Sequence, residues 1–234
     1  MKLAIMQPYF VPYIGYWQLM NAVDQYVVYD DVNYINRGWI NRNRILMDGC
    51  IKYFNMPVLG ASQNKLINEI DVNHDMVLVH KNIRRLETAY RRAPYYSEAM
   101  PVLEQVLKCE GKKAGEYLIK TFEIICDYLG ITTKLICSSS LEKDYSLKGK
   151  DKILSICSLL NATEYYNPIG GQELYSFQEF RDHGIELKFL KTDDIIYPQF
   201  TDEFYANLSI IDVMMFNSRE QIWEFLKKFT LITE

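Results

Sequence analysis

Residues 1–31, MKLAIMQPYFVPYIGYWQLMNAVDQYVVYDD, decide how the rest of the chain is read, because twenty-one successive residues from Leu3 to Val23 carry no charge. Leu3, Ala4, Ile5 and Met6 form a short apolar run suited to a buried strand. Pro8 and Pro12 cannot continue it, since proline lacks the ladder N–H and fixes φ, so the strand stops at Gln7. From Tyr13 the spacing turns helical, with Ile14, Trp17, Leu19, Met20 and Val23 on one apolar stripe, and Gln25 to Tyr29 then predicts a second strand ending in Asp30-Asp31. Strand, tight loop, helix and strand make a βαβ unit with a parallel crossover. In open α/β sheets a loop such as Gln7 to Tyr16, at the carboxyl end of a strand, is where ligands bind.

The polar segment that follows, Asp30 to Arg44, alternates carboxylates, amides and guanidiniums with aromatic residues. Such a mixture is a poor core and a good recognition loop, because arginine forks bind phosphate or carboxylate and asparagines both donate and accept. The competing reading is a hairpin or loop whose arginines pair with Asp30 and Asp31. Arg44 to Met47 and Ile51 to Val58, joined through Asp48-Gly49, predict two strands of a hairpin. Lys65 to Val72 reads as extended. Helices are predicted after Asn73-His74-Asp75 to about Tyr90, from Ser97 as N-cap to Cys109, and from Lys113 to Leu129 closed by Gly130.

The last hundred residues return to alternation. Strands are predicted at Thr132–Ser138, Glu164–Asn167 and Ile185–Leu190, and helices at Gly149–Leu160, Glu173–Asp182, Ser209–Phe216 and Arg219–Phe229. Asn167 to Tyr175 contains Gly170-Gly171, which permits a tight turn and lets backbone N–H groups approach a ligand where the helix starts. Ser138-Ser139-Ser140, followed by Lys148 and Lys150, is a similar junction and reads as a solvated loop. His80, beside Arg84 and Arg85, is a phosphate-site candidate or a structural residue; His183 reads as a histidine at a helix C-terminus, and Asp212 as an internal partner of a backbone N–H or of Arg219. The fold class is α/β, a mainly parallel Rossmann-like sheet in a single domain, residues 1–234, with a helical central insertion over about 75–130.

Composition narrows the class. With 234 residues, 49% hydrophobic and 24% charged, the chain is ordinary for a globular protein, and a net charge of −4 argues against nucleic acid as partner. The uncharged N-terminal stretch is broken by two prolines and polar amides, so neither a signal peptide nor a membrane span is predicted. Five scattered cysteines without a Cys-x-x-Cys pair suggest a reducing cytoplasm and neither a disulfide framework nor a zinc cluster.

Met6-Gln7-Pro8-Tyr9-Phe10-Val11-Pro12-Tyr13-Ile14-Gly15-Tyr16, Asn41-Arg42-Asn43, Tyr165-Tyr166-Asn167-Pro168-Ile169-Gly170-Gly171-Gln172-Glu173-Leu174-Tyr175 and Leu208-Ser209-Ile210-Ile211-Asp212 with Asn217 together resemble the WbqC-like protein family. The resemblance spans nearly the whole chain and implies a place in bacterial surface-polysaccharide and O-antigen gene clusters. More weakly, Ile5 to Leu19 is laid out like the start of nucleotidyltransferases and class I synthetases, in which His-x-Gly-His grips nucleotide phosphates; here the positions are Tyr13-Ile14-Gly15-Tyr16. Two tyrosines remain uncharged donors but are poor proton carriers, so nucleotide-sugar binding is expected rather than nucleotidyl transfer.

The expected site follows. Gln7, Tyr9, Tyr13, Gly15 and Tyr16 orient the substrate; Arg37, Asn41, Arg42, Asn43, Asn167, Gly170 and Gly171 hold an anionic or polar part; Asp30 or Asp31, at a strand end, is the general base. Gln7, Tyr9, Tyr16, Asn43, Asn167 and Gly171 are expected to line one pocket with at least one of Asp30, Asp31, Arg37 and Arg42. No metal site is expected and no cofactor is assigned. The ligand is a nucleotide or nucleotide sugar, and the reaction an acyl or aminoacyl transfer to it; the alternative is a non-catalytic module binding a nucleotide sugar or a partner protein.

Overall fold

β1 (Lys2–Met6) lies in the middle of the central sheet, with β2 (Gln25–Val28) parallel on one side, as the opening residues predict. A computed structural model describes residues 1–234, the whole chain. α1 (Ile14–Asn21) joins the two strands, and its residues Ile14 to Met20 are all buried, which explains why this stretch carries no charge.

The chain then leaves the sheet. β3 (Arg42–Met47) and β4 (Cys50–Asn55) form the predicted hairpin, with Asp48 and Gly49 at φ +53° and +71°, the left-handed pair of a type I′ turn. β5 (Val58–Leu59) pairs with β6 (Asp71–Val72), so the extended 65–72 segment is only partly strand: a 3₁₀ turn occupies Ile67–Glu69. α2 (Met76–Tyr90), α3 (Tyr96–Lys108) and α4 (Ala114–Leu129) are the central helices. Asp75 caps α2 by accepting from Val77 N at 2.8 Å, and Gly130 ends α4 at φ +74°. Ser97 is not the cap of α3, which begins one residue earlier.

β7 (Lys134–Cys137) returns to pair with β2; after α5 (Gly149–Leu159), β8 (Glu164–Pro168) pairs with the opposite side of β1, followed by α6 (Phe177–Asp182) and β9 (Glu186–Thr192). All these strands are parallel. α7 (Ile210–Phe216) and α8 (Arg219–Phe225) follow, and β10 (Phe229–Ile232) adds an antiparallel edge to β9. The helix expected to reach Phe229 therefore stops early, where a run containing Thr230 and Ile232 suits a strand better. The sheet order is β10-β9-β8-β1-β2-β7, in which the winding direction reverses between β1 and β8.

Both faces of the sheet are covered, as a parallel sheet requires. Leu3, Ile5 and Val27 pack with Ile153, Ile156 and Phe180 of α5 and α6, whereas Ala4, Tyr26 and Val28 join a larger core with Trp17, Phe122 and the α2, α3 and α7 side chains. The alternation along β1 is the strand's period of two read into opposite cores. No helix is long and apolar enough to cross a membrane.

Candidate functional site

Where β1 and β8 end at the reversal of winding, a cavity of about 600 Å³ opens. Open α/β sheets place ligands at such a point because the loops after the two strands diverge there. Gln7, Tyr9, Tyr13 and Tyr16 reach it from the loop after β1, and Asn167, Gly170 and Gly171 from the turn after β8; Tyr29, Tyr175 and Gly149-Lys150, at the start of α5, complete much of its wall.

The Gln7–Tyr13 loop is held from several directions. Tyr16 OH donates to Gln7 O at 2.8 Å, Asn43 Nδ2 to Phe10 O at 3.0 Å, Ser209 Oγ to Val11 O at 2.6 Å, and Trp17 Nε1 to Pro12 O at 3.0 Å. Val11 itself sits at φ +39°, a left-handed backbone that costs a β-branched residue energy and persists because the surrounding bonds over-determine it. On the other wall, a Cβ at Gly171 would lie 2.0 Å from Asn167 Oδ1, so glycine is required there by close approach. Asn167 is buried and donates from Nδ2 to Tyr165 OH at 3.0 Å.

A second cavity of about 340 Å³ adjoins the first through shared Tyr9 and Tyr13, and adds Trp39, Asn43, Arg44 and Asn207. Asn43 thus borders the neighbouring compartment rather than the main one.

The structure does not bring Asp30, Asp31, Arg37, Asn41 or Arg42 to either lining. All but Arg37 have side-chain partners elsewhere. Asp30, 2% exposed, accepts from Ser139 N at 2.9 Å and Ser139 Oγ at 2.6 Å, so the Ser138–Ser140 junction is a 3₁₀ turn anchored on a buried carboxylate, with Ser138 buried and Ser140 exposed, and not a wholly solvated loop. Asp31 meets Lys143 Nζ at 2.9 Å and Lys152 Nζ at 3.0 Å, all three side chains buried. Burial pushes the Asp31 carboxyl up, but Lys143, Ser138 and Lys152 outweigh it and hold the group below its ordinary value. These partners are lysines, not the expected arginines. Arg42 donates to the Gly38 and Arg37 carbonyls and lies 4.4 Å from the Tyr53 ring centroid, while Arg37 is exposed. Asn41 accepts from Tyr34 OH at 2.7 Å and donates to Met56 O at 3.3 Å.

Gly15 has a packing role: a Cβ there would stand 2.5 Å from Thr192 Oγ1 and from the Tyr13 ring, so its absence lets α1 approach β9. Gly170-Gly171 occupies a 3₁₀ turn, Ile169–Gly171, and α6 starts only at Phe177; the helix start beside the cavity belongs to α5. His80 is exposed on α2, and His183 ends α6 with Nδ1 2.8 Å from Glu179 O. Asp212 accepts from Tyr90 OH, Tyr197 OH and Gln199 Nε2 at 3.0, 2.9 and 2.8 Å, replacing the expected Arg219, which lies over Tyr128.

Sequence reasoning missed Tyr29, Gly149, Lys150 and Tyr175 as lining residues, and Arg44 and Asn207 in the second compartment. Tyr29 ends a predicted strand and Gly149 opens a predicted helix on the same sheet edge, a usable signal. Asn207 carried none, being more than 160 residues from its partner, Arg44.

Chemically, the main cavity is a nearly neutral, aromatic space. Lys150, paired with Glu179, is its one charged lining residue. Burial raises the pKa of Tyr9, Tyr13, Tyr29 and Tyr175, so their hydroxyls stay protonated at neutral pH and act as uncharged donors and acceptors. Cys126, Cys137 and Cys157 lie outside the lining, and burial pushes their thiols up to about 12, away from nucleophilic thiolate. The arrangement suits a planar or polyhydroxylated body gripped by amides and hydroxyls.

No solved structure matches the chain. Uncharacterized protein Rv1507c of Mycobacterium tuberculosis is 29% identical over 233 residues, covering 97% of each chain. Residues 7–224, which contain both cavity-forming loops, match the WbqC-like protein family, and the chain belongs to that family.

Proposed function

We propose that this protein is a cytoplasmic transferase of bacterial surface-glycan precursor biosynthesis, acting on a nucleotide-linked sugar by acyl or aminoacyl transfer. The observation that carries the reading is the main cavity at the reversal point of a mainly parallel sheet, in the position where doubly wound, Rossmann-like sheets take nucleotides. Its tyrosines and amides suit a base and sugar, and the first turn of α5 offers N–H groups to a phosphate. Family membership supports the glycan setting. One α/β domain over residues 1–234 accommodates the whole site.

In this reading Gln7, Tyr9, Tyr13, Tyr16, Asn167 and the Gly170-Gly171 turn bind and orient the sugar nucleotide. Asp30 and Asp31 are the general-base candidates by their strand-end position, although both lie outside the cavity lining; Lys152, which pairs with Asp31, has its Nζ 4.9 Å from the Tyr29 ring centroid. A second reading, a non-catalytic nucleotide-sugar binding module, is favoured by one observation: neither a carboxylate nor a histidine lines the cavity.

Purified protein is melted against nucleotides and nucleoside-diphosphate sugars, then assayed for turnover with acyl donors. A ligand at a hundred times Kd stabilises by roughly 2.7 kcal/mol, a shift of a few degrees for a chain of this size. Stabilisation with turnover supports the transferase, stabilisation alone the binding module, and no shift across the panel sinks both.

A further inference from the structure

We infer that the smaller compartment beside Tyr9 and Tyr13 is a binding site for a small organic carboxylate, with Arg44 as its anchor. Arg44 is fixed at the backbone: its N donates to Asn43 Oδ1 at 2.9 Å and its O accepts from Ser209 N at 2.8 Å. Its guanidinium is fixed as well, with Nη2 donating to Asn207 O at 3.1 Å and Cζ 5.5 Å from the Trp39 ring centroid. Asn207 presents that carbonyl from φ +56°, a left-handed backbone that asparagine tolerates.

Of the five N–H groups of the guanidinium, one is spent on Asn207, and among the rest the Nε–H stands out. Nε is buried and donates to no acceptor, while the rest of the guanidinium is partly exposed; an unmet buried donor is costly and rarely kept without use. The cavity Arg44 borders, about 340 Å³, contains no acidic side chain. Arg42, also beside Trp39, is spent on the Gly38 and Arg37 carbonyls, so a single open guanidinium faces this space. One planar fork, with one lobe already held by a carbonyl, fits a planar monoanion better than a phosphate dianion. The volume suits a molecule the size of an amino acid or hydroxy acid, whose body would lie along Tyr9 and Tyr13 toward the main cavity.

Under the transferase reading this compartment takes the carboxylate-bearing second substrate, but carboxylate binding itself does not depend on that reading. The test uses the full chain without nucleotide, so its outcome is separate from the melting assay. Arginine Nε–H and tryptophan indole N–H resonances are followed by NMR while acetate, glycolate, acetamide or inorganic phosphate is added to millimolar levels. Arg44 Nε–H is assigned by its loss in Arg44→Lys. Glycolate and acetate are expected to shift the Arg44 Nε–H and Trp39 indole signals saturably, acetamide to leave them in place, and Arg44→Lys to weaken the Trp39 response at least about tenfold. No saturable shift with either carboxylate, or an equal shift with acetamide, overturns the proposal. Tighter saturation by phosphate overturns the carboxylate assignment in favour of a phosphoryl group. Should Arg44→Lys fail to fold, the Trp39 titration on the unsubstituted chain decides alone.

Discussion

A Cβ at Gly171 would collide with the side-chain Oδ1 of buried Asn167 at 2.0 Å, whereas one at Gly170 meets nothing within 4 Å. Gly171→Ala is therefore expected to displace Asn167, cost about 1–3 kcal/mol through the lost bond to Tyr165, and remove any ligand-induced rise in Tm; Gly170→Ala should stay within about 0.5 kcal/mol of the parent. Equal losses in the two melting curves would contradict this. Two buried aspartates have opposite pH signatures. Burial pushes Asp212 above its ordinary value near 3.8, so its contribution is fully present below that pH and declines as pH rises through the raised value. Asp31 is held below the same ordinary value; its contribution is present above that pH and is lost as pH falls through the depressed one. Asp212→Asn should thus flatten the loss of stability on raising pH. Asp31→Asn, which strands two buried lysines, should cost about 3–5 kcal/mol at neutral pH. Urea unfolding midpoints across pH distinguish them. Sequence could mark these residues as unusual, but not their partners: Asp212 faces Tyr90 from 122 residues away.

Elements were legible where local chemistry decides. The Asp48-Gly49 hairpin and the Gly130 stop each express a backbone preference of one or two residues. Gly130→Ala isolates such a preference, because a Cβ there has open space and only the φ of +74° opposes it. It should cost about 1 kcal/mol, read as a drop in the urea midpoint with an unchanged slope. The end of the chain was not legible in this way. Arg219 to Phe229 has helical spacing, yet α8 stops at Phe225 and β10 takes Phe229–Ile232, because β9 offers an unpaired edge.

At the scale of the whole molecule, Gln18 ties the first helix to the last elements. Its buried Nε2 donates to Phe225 O at 2.7 Å and Lys228 O at 2.8 Å, where α8 ends and the chain turns into β10. Gln18→Leu preserves bulk but leaves two carbonyls without this donor, and is expected to destabilise by about 2 kcal/mol or more. Hydrogen exchange should show the Phe229–Ile232 amides losing protection before those of β1; unchanged exchange at β10 would mean that Gln18 does not hold this junction.

The residues of the first βαβ unit, the later strand–helix alternation and the loops ending in Gln7–Tyr16 and Asn167–Gly171 were readable from sequence, because periodicity, proline and glycine act over a few residues. The parallel sheet and the meeting of those two loops follow from that pattern. Which charged groups face the cavities was decided by the tertiary structure alone. Asp30, Asp31 and Arg42 sit close in sequence to the loop that forms the site, yet Ser139, Lys143, Lys152 and local carbonyls claim them. Arg44, two residues beyond Arg42, borders the second cavity because Asn207 and Trp39 hold it there. A side chain's charge is written in the sequence, but its partner is whichever group the fold brings within hydrogen-bond reach.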